Sequence, residues 1–288
     1  MIIWIASYPK SGNTWVRSLL STYLYQDDGN FNFDLLYKIG QFPNKKFLKY
    51  FLKDFSDIKK VSDYWIAAQD RINLFNENKT IFLKTHSALC TLENNAFTNK
   101  NNTKAVIYIV RDPRNVITSL SNHFSKNIEE SYKFITKKSL MLTDSEWGGD
   151  TFGIATIIGS WSEHYKSWQK IKFAPILIIK YENLINDTEN SLIKIIKFLK
   201  NYIDVEIDTK KISKTINSCA FDNLANMEKK FGFQEAAYSQ KDKKKINFFN
   251  LGKKNDWKNL LNPEIEKKIR IEFNKEMKEL FSKVHKAL

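Results

Sequence analysis

The strongest constraint on the fold lies at the start of the chain. Residues 2–6 form an uninterrupted apolar run that breaks at once into Ser7-Tyr8-Pro9-Lys10-Ser11-Gly12-Asn13-Thr14. A short run that is apolar at every position and bounded by turn residues reads as a strand buried on both faces. From residue 14 to 25 the period changes, and Val16, Leu19, Leu20 and Tyr23 fall on one side of a helix. Further apolar runs at 80–84, 105–110 and 176–180 alternate with helical stretches at 64–75, 113–125, 153–171, 191–199 (capped by Asp187 or Thr188), 221–229 and 263–281. Alternating apolar strands and helices predict an α/β fold: a central parallel sheet flanked by helices on both faces, in three layers.

The chain has 288 residues, with no internal repeat and no Pro- or Ser-rich linker, so a single domain spanning 1–288 is expected. Two cysteines, Cys90 and Cys219, cannot build a disulfide framework. The apolar runs at 106–110 and 175–179 fall far short of the roughly 20 residues of a membrane span. The run at 2–6 ends too soon for a signal-peptide core. These features predict a cytoplasmic protein with no membrane span. The net charge of +14 favours anionic partners. Most of it is lysine, which scattered solvated side chains account for equally well, so no specific nucleic-acid partner is expected. Arginines are few (Arg17, Arg71, Arg111, Arg114 and Arg270), so one inside a motif carries more weight.

The N–H groups of a helix's first turn have no partners within the helix, so the turn after residue 6 is suited to phosphate. Measured against the phosphate loop G-x-x-x-x-G-K-[ST], Ser7 stands at the first glycine, Gly12 keeps the second, and Thr14 keeps the hydroxyl. Asn13 replaces the lysine, and Lys10 appears earlier, at the apex of the loop. A P-loop kinase or nucleoside triphosphatase needs that lysine together with Mg²⁺. The acid expected after the third run is also displaced, because Arg111 precedes Asp112. A less highly charged transferred group, such as a sulfuryl group, needs one lysine and no metal.

The block Tyr8-Pro9-Lys10-Ser11-Gly12-Asn13-Thr14-Trp15 resembles the 5′-phosphosulfate loop of sulfotransferases that use 3′-phosphoadenosine-5′-phosphosulfate (PAPS), of the cytosolic type and its bacterial relatives. The resemblance implies a P-loop-like fold, PAPS as donor co-substrate without a metal, and donor contacts by Lys10, Ser11, Gly12, Asn13, Thr14 and Trp15. Other blocks match as well. Arg111 and Ser119 keep the spacing of the family's 3′-phosphate segment. Read alone, they are as well explained by an Arg111–Asp112 surface pair and a helix-interior serine. Lys84-Thr85-His86 is similar to the block whose histidine is the general base. A lone histidine is usually structural, but the match implies that His86 is the base and that Lys10 and Lys84 stabilise transition-state charge. His123, His164 and His285 receive no catalytic role. The aromatics of 159–168 look like core.

Tyr181 and Phe221 occupy adenine-contacting positions, with Cys219 substituted beside Phe221. Gly252 and Asp256-Trp257-Lys258 fit the closing segment, but Asn250-Leu251 stands where the family has Arg-Lys. Lys253, Lys254 or the run Lys241–Lys245 are candidate replacements. A catalytically inactive anion- or nucleotide-binding protein is the corresponding alternative. Residues 27–79, 126–152 and 232–249 match no block and are expected to form the pocket and lid for a small-molecule acceptor bearing a hydroxyl or amine. Phe31, Phe33, Tyr37, Phe42, Tyr64 and Trp65 are candidates for its lining or for the core. The sequence does not distinguish a monomer from a homodimer.

Overall fold

A computed structural model of the chain describes residues 1–139, 141–142, 154–238 and 244–281. Five strands form one parallel sheet: β1 (Ile2–Ser7), β2 (Gly40–Gln41), β3 (Ile81–Thr85), β4 (Thr103–Val110) and β5 (Ile176–Lys180), in the order β2-β3-β1-β4-β5. β1 is central. Ile3 pairs with Phe82 on one side and with Ala105 on the other, and every residue of the strand is buried.

Successive side chains of a strand point to opposite faces, so an all-apolar strand feeds two cores. Trp4 and Ala6 enter one core with Phe42, Leu83, Val106, Tyr108, Trp65, Phe97, Trp161 and Trp168. Ile3 and Ile5 enter the other with Val16, Leu19, Leu20, Phe82, Ile107, Ile109, Ile195 and Leu199. Trp4 is fully buried, yet its indole N–H donates to Thr103 Oγ1 at 3.0 Å, so the burial strands no donor.

The helices are α1 (Asn13–Tyr25), α2 (Trp65–Phe75), α3 (Pro113–Phe124), α4 (Ile128–Thr136), α5 (Trp161–Gln169), α6 (Thr188–Leu199), α7 (Thr209–Ser218), α8 (Phe221–Phe231), α9 (Pro263–Glu272) and α10 (Asn274–Phe281), with shorter turns between them. The expected three-layer α/β architecture is present. Its first departure is at 153–171, where the sequence predicts one helix. Thr156–Ile157 instead pairs antiparallel with Met141–Leu142, and α5 starts only at Trp161. The β-branched run Thr156-Ile157-Ile158 favours extended chain, and Gly159 takes φ +63°. Ser160 and Glu163 then close a reciprocal capping box that fixes the helix start. Residues 143–153 of the expected helix and acceptor segment lie outside the described residues. At 263–281 the single expected helix is two, divided at Phe273, which is buried against the first core. β2 went unforeseen because two residues carry no periodicity.

β1, β3, β4 and β5 all end on one edge of the sheet, at Ser7, Thr85, Val110 and Lys180. β1 has neighbours on both sides, so the chain's crossovers diverge there. Ligand clefts of open α/β sheets form at such a point. No helix of the described residues is long and apolar enough to cross a membrane.

Candidate active site

The loop between β1 and α1 turns through two residues of positive φ, Lys10 (+63°) and Gly12 (+100°). Gly12 is required there for a second reason: a Cβ would lie 2.4 Å from Cδ2 of the Tyr181 ring. As the residue preceding α1, Gly12 offers no capping side chain, so the first-turn amides keep their anion-binding character. Asn13, which stands where a phosphate loop has its lysine, turns inward. Its amide donates to Ile5 O at 3.0 Å and Ser7 Oγ at 3.1 Å and ties the loop to the end of β1.

Four cations converge on this turn. Lys10 Nζ sits 4.0 Å from the Phe248 ring centroid. Burial, then the neighbouring Arg111 guanidinium, lower the Lys10 pKa to about 7. Lys84, near the end of β3, is buried, and burial brings its pKa to about 8 although Glu235 opposes the shift. Arg17, one turn into α1, is held by Leu36 O and Ile39 O through Nη2 at 3.0 and 3.2 Å. Arg111 follows β4 directly. Its Nη1 donates to Lys10 O at 2.9 Å, and its guanidinium lies 4.2 Å from the Tyr181 ring centroid. Arg111 Nε is buried with no hydrogen-bond partner. A buried, unsatisfied guanidinium N–H suits an anionic ligand.

His86 lies just past β3 and is 8% exposed. Its Nδ1 is 2.8 Å from Ser7 O, a contact only an N–H can make favourably, which assigns the proton to Nδ1 and leaves Nε2 as the basic nitrogen. Burial, with Lys84 adding to it, lowers the His86 pKa to about 3, so the ring is neutral across the physiological range. The turn behind it is fixed by α5. His164 Nε2 reaches His86 O at 3.0 Å, His164 Nδ1 reaches Tyr108 Oη at 2.8 Å, and Trp168 Nε1 donates to Ser87 O at 2.9 Å. The aromatic helix is core, as expected, but it also sets the position of His86.

Lys10, Lys84, His86 and Arg111 line one cleft of about 290 Å³, and Arg17 is not part of its wall. Of the residues singled out from the sequence, it brings together Lys10, Gly12, Asn13, Thr14, Trp15, Lys84, His86, Arg111, Ser119, Tyr181, Phe221 and Gly252. Trp15 and Tyr181 meet edge to face at 6.0 Å, and Trp15 Nε1 donates to Cys219 O at 3.0 Å. Two side chains are not in the wall. Ser11 is fully buried within the turn. Cys219 faces the second core, with Sγ 3.5 Å from Thr22 Oγ1, and only its backbone supports the site. The small thiol packs there as an apolar group. Lys253 lines the cleft and Lys254 does not; of the run Lys241–Lys245, residues 241–243 lie outside the described residues, and Lys244 and Lys245 are exposed and not part of the cleft wall. Of the candidate pocket aromatics, Phe42 and Trp65 are core, Phe33 packs on Phe233 and Phe249, Tyr64 stacks on Phe51, and Tyr37 is exposed.

The sequence gives no warning of Glu235. Its Oε1 accepts from Lys84 Nζ at 2.8 Å and Arg17 Nη1 at 2.7 Å, and its Oε2 from Thr14 Oγ1 at 2.8 Å. These partners are 151, 218 and 221 residues away, so no spacing rule could have found the contact. His123 on α3 also lines the cleft, edge to face with Phe248.

Comparison with known proteins follows the same lines. A family model described as "Sulfotransferase domain" matches residues 2–281. The chain is 25% identical over 286 residues to an amine sulfotransferase of Oryctolagus cuniculus, covering 96% of this chain and 81% of the relative. It is 26% identical to sulfotransferase 1B1 of Canis lupus familiaris, covering 95% and 82%. Among solved structures, mouse sulfotransferase SULT7A1 complexed with PAP superimposes with a TM-score of 0.54 at 19% identity, covering 97% of this chain and 84% of that one. Retinol dehydratase in a complex with retinol and PAP gives 0.58 at 16%, covering 96% and 81%.

Proposed function

The chain belongs to the sulfotransferase family, and on that premise we propose that it moves a sulfuryl group from PAPS to a hydroxyl or amine of a small-molecule acceptor. One observation carries the reading. A single cleft is lined by the β1–α1 turn with Lys10 and Thr14, by Lys84, by Arg111 and Ser119, and by the aromatic rings of Trp15, Tyr181 and Phe221. A nucleotide with phosphates on both its 5′ and 3′ carbons matches that layout. The unpartnered Arg111 Nε and the Glu235 carboxylate already bound by Thr14 and Lys84 both favour an anion there. Relatives named cytosolic sulfotransferases support a cytosolic place of action.

When bound, PAPS supplies the transferable sulfuryl group. In this reading Thr14 and the loop amides hold the 5′-phosphate, while Arg111 and Ser119 hold the 3′-phosphate and set the register. His86 Nε2 takes the acceptor's proton as the acceptor attacks in line. Lys10 stabilises the charge that develops on the bridging oxygen, and Lys84 assists.

Calorimetry with 3′-phosphoadenosine-5′-phosphate (PAP), beside AMP and ATP, tests the class. PAP is expected to bind at least about 100-fold more tightly than AMP, since the second phosphate adds charge-assisted bonds to arginine. Mg²⁺-dependent ATP binding with hydrolysis would instead indicate a nucleoside triphosphatase. Arg111→Lys is expected to weaken PAP by about 10- to 100-fold, because an ammonium cannot reproduce the planar fork, and to leave AMP nearly unchanged. Equal losses for both nucleotides would remove Arg111 from the 3′-phosphate.

Lysine titration gives a pH test. Lys10 (about 7) and Lys84 (about 8) shed protons as pH rises from 6 to 9, and a bound anion raises both pKa values. PAP affinity is therefore expected to fall over that range, with net proton uptake on binding near pH 8. Binding enthalpies that do not depend on the ionisation heat of the buffer at pH 8 would contradict this.

A further inference from the structure

Glu235 is an acid placed in a site built from cations. It follows α8, in a turn between Gly232 and the strand pair formed by Ala237–Tyr238 and Lys245–Ile246. Its carboxylate uses both oxygens on groups that the proposed reaction needs: Oε2 accepts the Thr14 hydroxyl, and Oε1 accepts Lys84 Nζ. Arg17 also donates to Oε1, but Arg17 is anchored independently by two backbone carbonyls and would keep its place without the carboxylate. A planar carboxylate presents two acceptor oxygens on one charged group, much as one edge of a phosphate or sulfuryl group does. Without this carboxylate, Lys84 and Arg17 would lose the anion they share, while Lys84 and Arg111 both act on Lys10 and only Glu228 opposes them there, an arrangement of high electrostatic cost.

We propose that Glu235 is an internal ligand of the cleft: its carboxylate occupies the place of the donor's 5′-phosphosulfate oxygens, and donor binding displaces it. This rests on the PAPS reading above. Thr14 Oγ1 has one proton to donate, so it cannot serve Glu235 and a 5′-phosphate at once. Lys84 and Arg17 hold the carboxyl well below the usual carboxylate range, so the competitor stays charged at working pH. Apparent donor affinity is then reduced by the fraction of molecules in which Glu235 is seated.

The test measures PAP and AMP binding by calorimetry for the wild type, Glu235→Gln and Glu235→Ala, with thermal melting of each. A crystal structure of the wild type with PAP accompanies it. Both variants are expected to bind PAP and AMP more tightly than the wild type, by about tenfold if one molecule in ten is competent at rest. In the complex, the Glu235 carboxylate should have left Thr14 Oγ1. Equal or weaker binding by variants that melt like the wild type overturns the proposal, as does weaker binding with lowered melting, which would make Glu235 a support for Lys84. A PAP complex in which Thr14 still donates to Glu235 overturns it as well. If neither wild type nor variants bind PAP, the PAPS reading itself fails. If the wild type binds and the variants do not improve, only the displacement idea fails.

Discussion

Replacing His86 with alanine is expected to lower sulfuryl transfer by about 10²- to 10⁴-fold, the range contributed by a positioned general base, and to leave PAP binding within about twofold. The measurement is PAP release from PAPS against a panel of phenols, alcohols and amines, with PAP affinity in parallel. The geometry separates the two effects. Nδ1 is committed to Ser7 O, so Nε2 is the nitrogen that can accept a proton, and the groups proposed to hold the phosphates are other side chains. With its pKa lowered to about 3, His86 is fully in the basic form at neutral pH, but it is a weak base until charge develops beside it. Negative charge close to the ring raises its pKa, so proton transfer is favoured while the nucleotide's anionic groups are present. His86→Asn is the informative partner. Its amide can keep the bond to Ser7 O without supplying a base, so it should be as inactive as the alanine variant while keeping the turn in place. Loss of PAP binding in either variant would assign His86 to holding the loop or the ligand.

Gly12→Ala is expected to be the most damaging change in the binding loop. Two independent penalties combine: a φ of +100° that side-chain-bearing residues rarely adopt, and a Cβ placed 2.4 Å from the Tyr181 ring. The ring has little freedom to yield, since Arg111 stacks against it and Trp15 meets its edge. Backbone strain and overpacking each cost on the order of 1–3 kcal/mol, so a destabilisation of about 2–6 kcal/mol is expected. Displacing Tyr181 also disturbs Arg111, and PAP affinity should fall by at least about 100-fold. In the double variant Gly12→Ala with Tyr181→Ala, the steric part is removed and the backbone part remains, so the melting temperature should recover partly. Full recovery would place all the strain in the ring contact; none would place it in the backbone.

Much of this site is legible in the sequence because the residues that line its cleft sit at fixed offsets from strand ends. Lys10, Lys84, His86 and Arg111 each lie within a few residues of an apolar run, with Thr14 in the first turn of the helix that follows the first run, and a parallel sheet brings such ends to one edge whatever the connecting segments contain. Ser11 and Cys219 mark the limit of that logic. Each occupies a position in a matching block, but direction is decided by local packing, and both side chains turn into the protein. The helix expected from residue 153 failed for a related reason: one positive-φ glycine and a capping box outweigh a continuous apolar pattern.

The sequence by itself determined the buried parallel sheet, the glycine-bearing strand-to-helix turn after its first strand and the cations placed at the strand ends, because period, turn chemistry and residue type are local properties. Only the tertiary structure decided what those cations face. The Glu235 carboxylate reaches Lys84, Arg17 and Thr14 across more than 150 residues of chain, and Phe248 covers Lys10 from a segment without recognisable pattern. Such contacts depend on how distant segments pack in three dimensions, and the linear order of residues records no trace of them.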